Sequence, residues 1–187
     1  MRAAPLVLAA LAAAAVGAAG AHGAPPSLDD ARLGPDGLGP VRIGMTTAQA
    51  RAATSSRLTI TQRNGTCAVL AQAGRYDGVY FILTSGVVRR ATVESTESVN
   101  VFVTTLRGLR LASSEKRVRE LYGRPFFAAR DANSGGLQMV YRPRPMAAPA
   151  RRYVFVTASL GSGIPGRYVS AMSVGDLPEA RYQEACS

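Results

Sequence analysis

Ser113-Ser114-Glu115-Lys116 has the Ser-x-x-Lys spacing of serine acyl-enzymes and stands at a predicted helix start, where a nucleophile could be presented. Those enzymes also use a separate Lys-Thr-Gly element, and Lys116 is the only lysine in the chain. Helix capping is therefore the better account of the two serines. The single histidine, His22, lies at or before the expected end of an export leader. The mature chain then has no imidazole for a Ser-His-Asp or Cys-His arrangement, and no His-bearing zinc site. Paired carboxylates are the remaining hydrolytic option, because a glycosidase needs two of them held roughly 5 to 9.5 Å apart. Glu94 with Glu97, Asp131 or Asp176 are the candidates, and scattered solvated acids are the simpler reading. No catalytic residue and no metal ligand is assigned. The stretches Gly161-Ser162-Gly163 and Ser134-Gly135-Gly136 match neither a phosphate loop nor a dinucleotide fingerprint, so they read as turns and no cofactor is expected.

Binding chemistry is better represented. Tyr76, Tyr141, Tyr153 and Tyr168 each stand close to an arginine, and Tyr with Arg is the composition favoured in protein-binding hot spots. Arg152-Tyr153-Val154-Phe155-Val156-Thr157 and Arg167-Tyr168-Val169-Ser170 alternate as strands do, which nominates Tyr153, Tyr168, Arg152 and Arg167 as a surface for a protein partner. Which alternate set faces inward is left open by the pattern. The formal net charge is +10, or +9 once Arg2 is lost with the leader. The arginines are scattered, apart from the short clusters Arg89-Arg90, Arg142-Pro143-Arg144 and Arg151-Arg152. A generally basic surface is expected, with no specific nucleic-acid partner. The second class of partner is an anionic envelope polymer or membrane surface, whose attraction falls as salt rises.

The elements that must position these residues begin after a leader. Arg2, the apolar run 3–18 and the small residues that follow have the order of a cleavable signal peptide, cut after Ala21 or after Gly23. The protein is therefore expected to be secreted, or to reside in the periplasm or cell envelope. Two cysteines, Cys67 and Cys186, remain in an oxidising compartment, which favours a disulfide over two free thiols. On the loop-entropy estimate such a bond contributes roughly 4 to 5 kcal/mol.

Residues 24–37 are rich in Pro, Gly and Asp without apolar period and read as a linker. Thr46 with Gln49 forms a capping-box pattern that predicts a short helix over 47–53. Strands are expected at 57–63 and 66–70 around Asn64-Gly65, and at 79–83 and 87–93 around Thr84-Ser85-Gly86. The order then restarts, since Leu109-Arg110-Leu111-Ala112-Ser113-Ser114 overlies Val41-Arg42-Ile43-Gly44-Met45-Thr46. A second helix, with Val118, Leu121 and Tyr122 on one face and Gly123 as its stop, precedes strands at 137–142, 153–157 and 168–174. The expected fold is therefore α+β: a tandem repeat, over 38–103 and 104–187, of a short helix followed by a mostly antiparallel sheet of about four strands. The sheets would join side by side with the helices on one face.

The Gly44-Met45-Thr46 start of a short helix, with an antiparallel sheet and the same unit again, resembles the two-repeat fold of the beta-lactamase-inhibitory protein family. Each half is similar to the small outer-membrane lipoprotein domain that supports barrel-protein assembly. The segment Leu38-Gly39-Pro40-Val41-Arg42-Ile43-Gly44-Met45-Thr46 is also similar to the start of many secreted proteins of high-GC bacteria. The resemblance implies a non-enzymatic protein that binds other proteins, as an inhibitor or an assembly factor does. The lipid-bearing cysteine of the lipoprotein has no counterpart here.

Overall fold

The computed structural model describes residues 24–28, 31–72, 78–95, 103–131, 135–143, 148–159, 165–181 and 186. The leader and its alternative cut sites, Tyr76, Glu97 and most of the Gly161-Ser162-Gly163 neighbourhood lie outside them. In chain order the elements are β1 (Arg32–Gly34), β2 (Gly37–Leu38), β3 (Val41–Arg42), α1 (Thr47–Ala53), β4 (Leu58–Asn64), β5 (Cys67–Gln72), β6 (Val79–Thr84) and β7 (Val87–Glu94). These are followed by β8 (Thr104–Thr105), α2 (Glu115–Tyr122), β9 (Phe127–Arg130), β10 (Leu137–Tyr141), β11 (Arg151–Ala158), β12 (Tyr168–Asp176) and a 3-10 turn at Glu179–Arg181.

Local chemistry accounts for the ends of these elements. Thr46 caps α1 through the reciprocal capping box with Gln49, and Ser114 caps α2 by accepting the N–H of Arg117. Gly123 ends α2 at φ 77° and donates its N–H to the carbonyl of Arg119. The first hairpin turns at Gly65-Thr66, with Asn64 still paired to Cys67 and Gly65 at φ 56°. The second turns at Ser85-Gly86, both at positive φ, the geometry that suits the twist of the flanking strands.

The main sheet has eight antiparallel strands in the order β4-β5-β6-β7-β12-β11-β10-β9. Its centre is the β7–β12 ladder, from Ala171 opposite Glu94 to Gly175 opposite Arg90. A four-stranded sheet, β3-β2-β1-β8, packs beside it and contains one parallel pair, Arg32 with Thr104. The protein is thus mostly β, with 49% of the described residues in strands and 13% helical, and the expected α+β tandem repeat of helix-plus-sheet units is corrected. The helices are only 7 and 8 residues long and fully bury one side chain each, Ala50 and Val118, which is too little to form a layer. Capping signals mark where a helix starts and carry no information on its length. The similarity between 41–46 and 109–114 marks two helix starts, capped by Thr46 and Ser114.

The segment 24–37 also departs from the expected linker. It contributes β1 and the start of β2, and Leu28, Ala31 and Leu33 are buried in the core. Its turn residues hold a β1–β2 hairpin whose strands are too short to show a period.

One face of the eight-stranded sheet, with Phe81, Val93, Met139, Tyr141, Tyr153, Phe155, Met172 and Val174, forms the principal core under α1, α2 and the small sheet. The other face is also covered. Ala180 packs on Val140 and Val154, and Cys186 packs on Val69, Ala71, Tyr80 and Ile82. Arg90 donates to the Glu179 carbonyl and Asn64 to that of Cys186, and the Cys67–Cys186 disulfide fastens the end of the chain to β5.

Candidate binding groove

The strings that suggested catalysis are occupied structurally. Ser114 Oγ accepts from Arg117 N and Ser113 Oγ accepts from Arg110 N, while the Lys116 side chain is 86% exposed and pairs with Glu120 at 4.0 Å. Glu94 accepts from the Tyr80 hydroxyl and Asp176 from Arg151 Nε. Asp131 is buried at the end of β9, four strand positions from β7, so it stands about 19 Å from Glu94 at ~4.8 Å per strand. That distance exceeds the reach of a two-carboxylate site. Among the described residues no three His, Cys, Asp or Glu side chains group as metal ligands, and no helix is long and apolar enough to cross a membrane.

The four nominated binding residues divide between places. Tyr153 is only 5% exposed and faces the principal core, whereas Arg152, next to it on β11, faces the other side and is equally buried. Tyr168 is half-buried at the far end of the β11–β12 ladder, opposite Ala158, while Tyr153 stands opposite Val174. Six positions along a strand correspond to ~20 Å. Tyr168 donates its hydroxyl to the Pro165 carbonyl, and Arg167 reaches Glu115 at 3.9 Å. The structure therefore does not bring the tyrosines onto one open sheet face, because the sheet is covered on both sides.

It brings Tyr153 instead to the floor of a groove. Tyr122, the last residue of α2, lies 4.8 Å from Phe155, 5.5 Å from Tyr141 and 5.7 Å from Tyr153 between ring centroids, so four rings pack around the helix end. Such tilted and edge contacts suit the ring quadrupoles. Gly123 then turns the chain outward, and Arg124-Pro125-Phe126 runs along the rim toward β9. The turn after β8 supplies Leu106 and Arg107 opposite, and the β1–β2 turn supplies Pro35. The resulting cavity has a volume of about 530 Å³. Leu106 and Phe126, at 58% and 56% exposure, are the large apolar side chains left open to solvent among the described residues, and both stand on this rim.

Arg107, Arg124 and Arg142 also line the groove, and no described lining residue is acidic. Arg107 lies 5.4 Å from the Tyr122 ring centroid and donates to the Leu121 carbonyl. Arg142 lies 4.2 Å, and Arg152 5.3 Å, from the Phe126 ring. Asp36, nearby, faces Arg151 at 3.6 Å. Burial pushes the Tyr153 hydroxyl well above the usual tyrosine range, Tyr122 adds to the shift, and Arg107 opposes it. Burial also raises Tyr122 and Tyr141. The three phenols are thus neutral donors near pH 7 under a cationic rim.

Leu106, Arg107, Tyr122, Arg124 and Phe126 carry no functional signal in the sequence. Gly123-Arg124-Pro125 reads only as a helix stop, and an exposed Phe cannot be told from a buried one by its neighbours. No family model, curated protein or solved structure matches this chain.

Proposed function

We propose that this is a non-enzymatic binding protein of the cell envelope or exterior, whose groove docks an acidic, partly apolar segment of another protein. The observation that carries the reading is the groove itself: an aromatic floor, two exposed apolar rim residues, and three arginines without a carboxylate among its described lining. Aromatic and arginine side chains in a concave site are the usual anchors of protein recognition. The signal-like leader and the Cys67–Cys186 bond support placement outside the cytoplasm.

The test is binding of acidic, aromatic-containing peptides to wild type, Phe126→Ala and Arg124→Ser as salt is varied. Affinity that falls at least tenfold in either variant, and that persists at moderate salt, supports the reading. Binding that is insensitive to both substitutions, and that collapses with salt on anionic vesicles as readily as on peptide, would favour a diffuse electrostatic binder of envelope polymer or lipid.

A further inference from the structure

We infer that Arg142 and Arg152 form a carboxylate-binding pair at the outer rim of the groove, which takes an Asp or Glu side chain of the docked segment. This deepens, and rests on, the peptide-docking reading above. Arg142 follows Tyr141 and Arg152 precedes Tyr153, and Tyr141 and Tyr153 are ladder partners. The two arginines therefore stand across from each other where β10 and β11 part. Like charges in that relation are destabilising unless a counter-charge joins them.

Among the described residues no counter-charge joins them, and neither guanidinium makes an ion pair. The connection 143–150 between the two strands contains no Asp or Glu. Arg152 is only 7% exposed, and its Nη1 donates to the carbonyls of Pro149 and Arg151, yet its buried Nε–H has no acceptor. A buried cationic donor left without a partner is costly, and such groups are normally paired. Burial and the neighbouring Arg142 both hold the Arg152 pKa below the usual arginine value.

The geometry suits a carboxylate. Both guanidinium carbons lie over the Phe126 ring, which holds them together from one side, and Arg142 is exposed, so an acidic side chain can approach from solvent. A carboxylate has two oxygens, one for the free Nε–H of Arg152 and one for the exposed head of Arg142. Phe126 also links this pair to the groove, whose rim it shares.

The test follows the arginine Nε–H signals of the 15N-labelled full-length mature protein by NMR at constant ionic strength. The probes are an acetylated, amidated Asp-Asp-Phe-Asp-Asp peptide, its Asn-Asn-Phe-Asn-Asn counterpart, and inorganic phosphate. The expected result is a saturable shift of the Arg152 Nε–H with the acidic peptide and none with the neutral one, and an affinity at least tenfold weaker in Arg142→Gln. Because Arg142 is exposed, that variant keeps the test independent of whether Arg152→Gln folds. If the peptide shifts the Phe126 and Tyr153 rings but leaves the Arg152 Nε–H unmoved, the pair is not the anchor and the docking reading stands. A saturable Arg152 shift without any movement of the groove rings would uphold the pair and refute the groove. Phosphate that displaces the peptide at lower concentration than the peptide itself requires would overturn the assignment to a carboxylate.

Discussion

Cys186 is bonded to Cys67 with their Cα atoms 5.3 Å apart and a sequence separation of 119, and this bond holds the last described residue of the chain against the face of the sheet opposite the helices. Cys186→Ser frees that end, exposing Val69, Ala71, Tyr80 and Ile82, and removes the restriction on the unfolded chain. The expected loss is about 2–5 kcal/mol. In a thermal melt this appears as a decrease in Tm of roughly 5–15 °C, at about 2–4 °C per kcal/mol for a domain of this size. An unchanged Tm would show that the sheet face is held without the bond.

Alkaline stability tests the groove floor. Tyr153, Tyr122 and Tyr141 have folded-state pKa values raised by burial. The unfolded chain releases its phenolic protons near pH 10, before the folded one does. Their contribution is therefore complete below about pH 10 and is lost as pH climbs from there toward the folded-state values. Urea unfolding between pH 8 and pH 11 should show stability falling in the upper part of that range. Tyr153→Phe should flatten the fall, since it removes the proton most tightly held.

Gly37 bears on whether 24–37 is structure or tether. It sits at φ 148°, and a Cβ there would collide with the Val41 carbonyl oxygen. Gly37→Ala should cost about 3 kcal/mol or more, from backbone strain and overpacking together. A chain beginning at Leu38 also loses the buried Leu28 and Leu33, at about 1.5–3 kcal/mol per leucine. Denaturant midpoints that match wild type in both variants would return the segment to the role of a linker.

Arg151 ties this segment to the main sheet. Its Nε donates to Asp176 at 2.7 Å, its Nη1 donates to the Pro35 carbonyl at 2.9 Å, and its side chain is only 9% exposed. Asp176→Asn leaves that buried cation without its close partner, and about 3 kcal/mol of stability should be lost. Chemical denaturation of both proteins at pH 7 checks it.

The exposed rim residues are expected to matter for binding and little for folding. Phe126→Ala and Leu106→Ser remove side chains that are more than half exposed, so the melting temperature should move by no more than about 2 °C, within the usual range for surface changes. A larger decrease would mean that these side chains hold the groove together, and that their exposure reflects packing constraints on the rim.

Much of the secondary structure was legible in the residues alone, because caps, turns and alternation act over a few positions. Thr46 with Gln49, Ser114 and Gly123 mark the helix ends where the chain itself satisfies its orphan N–H and C=O groups, and the Gly65 and Ser85-Gly86 turns set two hairpins. The parity of two cysteines in a chain whose first residues read as an export leader likewise pointed to the bond between Cys67 and Cys186. The balance of the fold was not legible, since nothing local says that eight strands will merge through the β7–β12 ladder and outweigh two helices of 7 and 8 residues. Nor was burial. Alternation placed Arg152 and Tyr153 on opposite faces but could not say that Tyr122 would roof one and the Glu179–Arg181 turn would help close the other. Leu33 looked like part of a tether until β1 paired with Thr104–Thr105, far along the chain. A side chain's environment is decided by whichever distant segment covers it, and that choice is made by the total area buried across the molecule, which no short window of sequence contains.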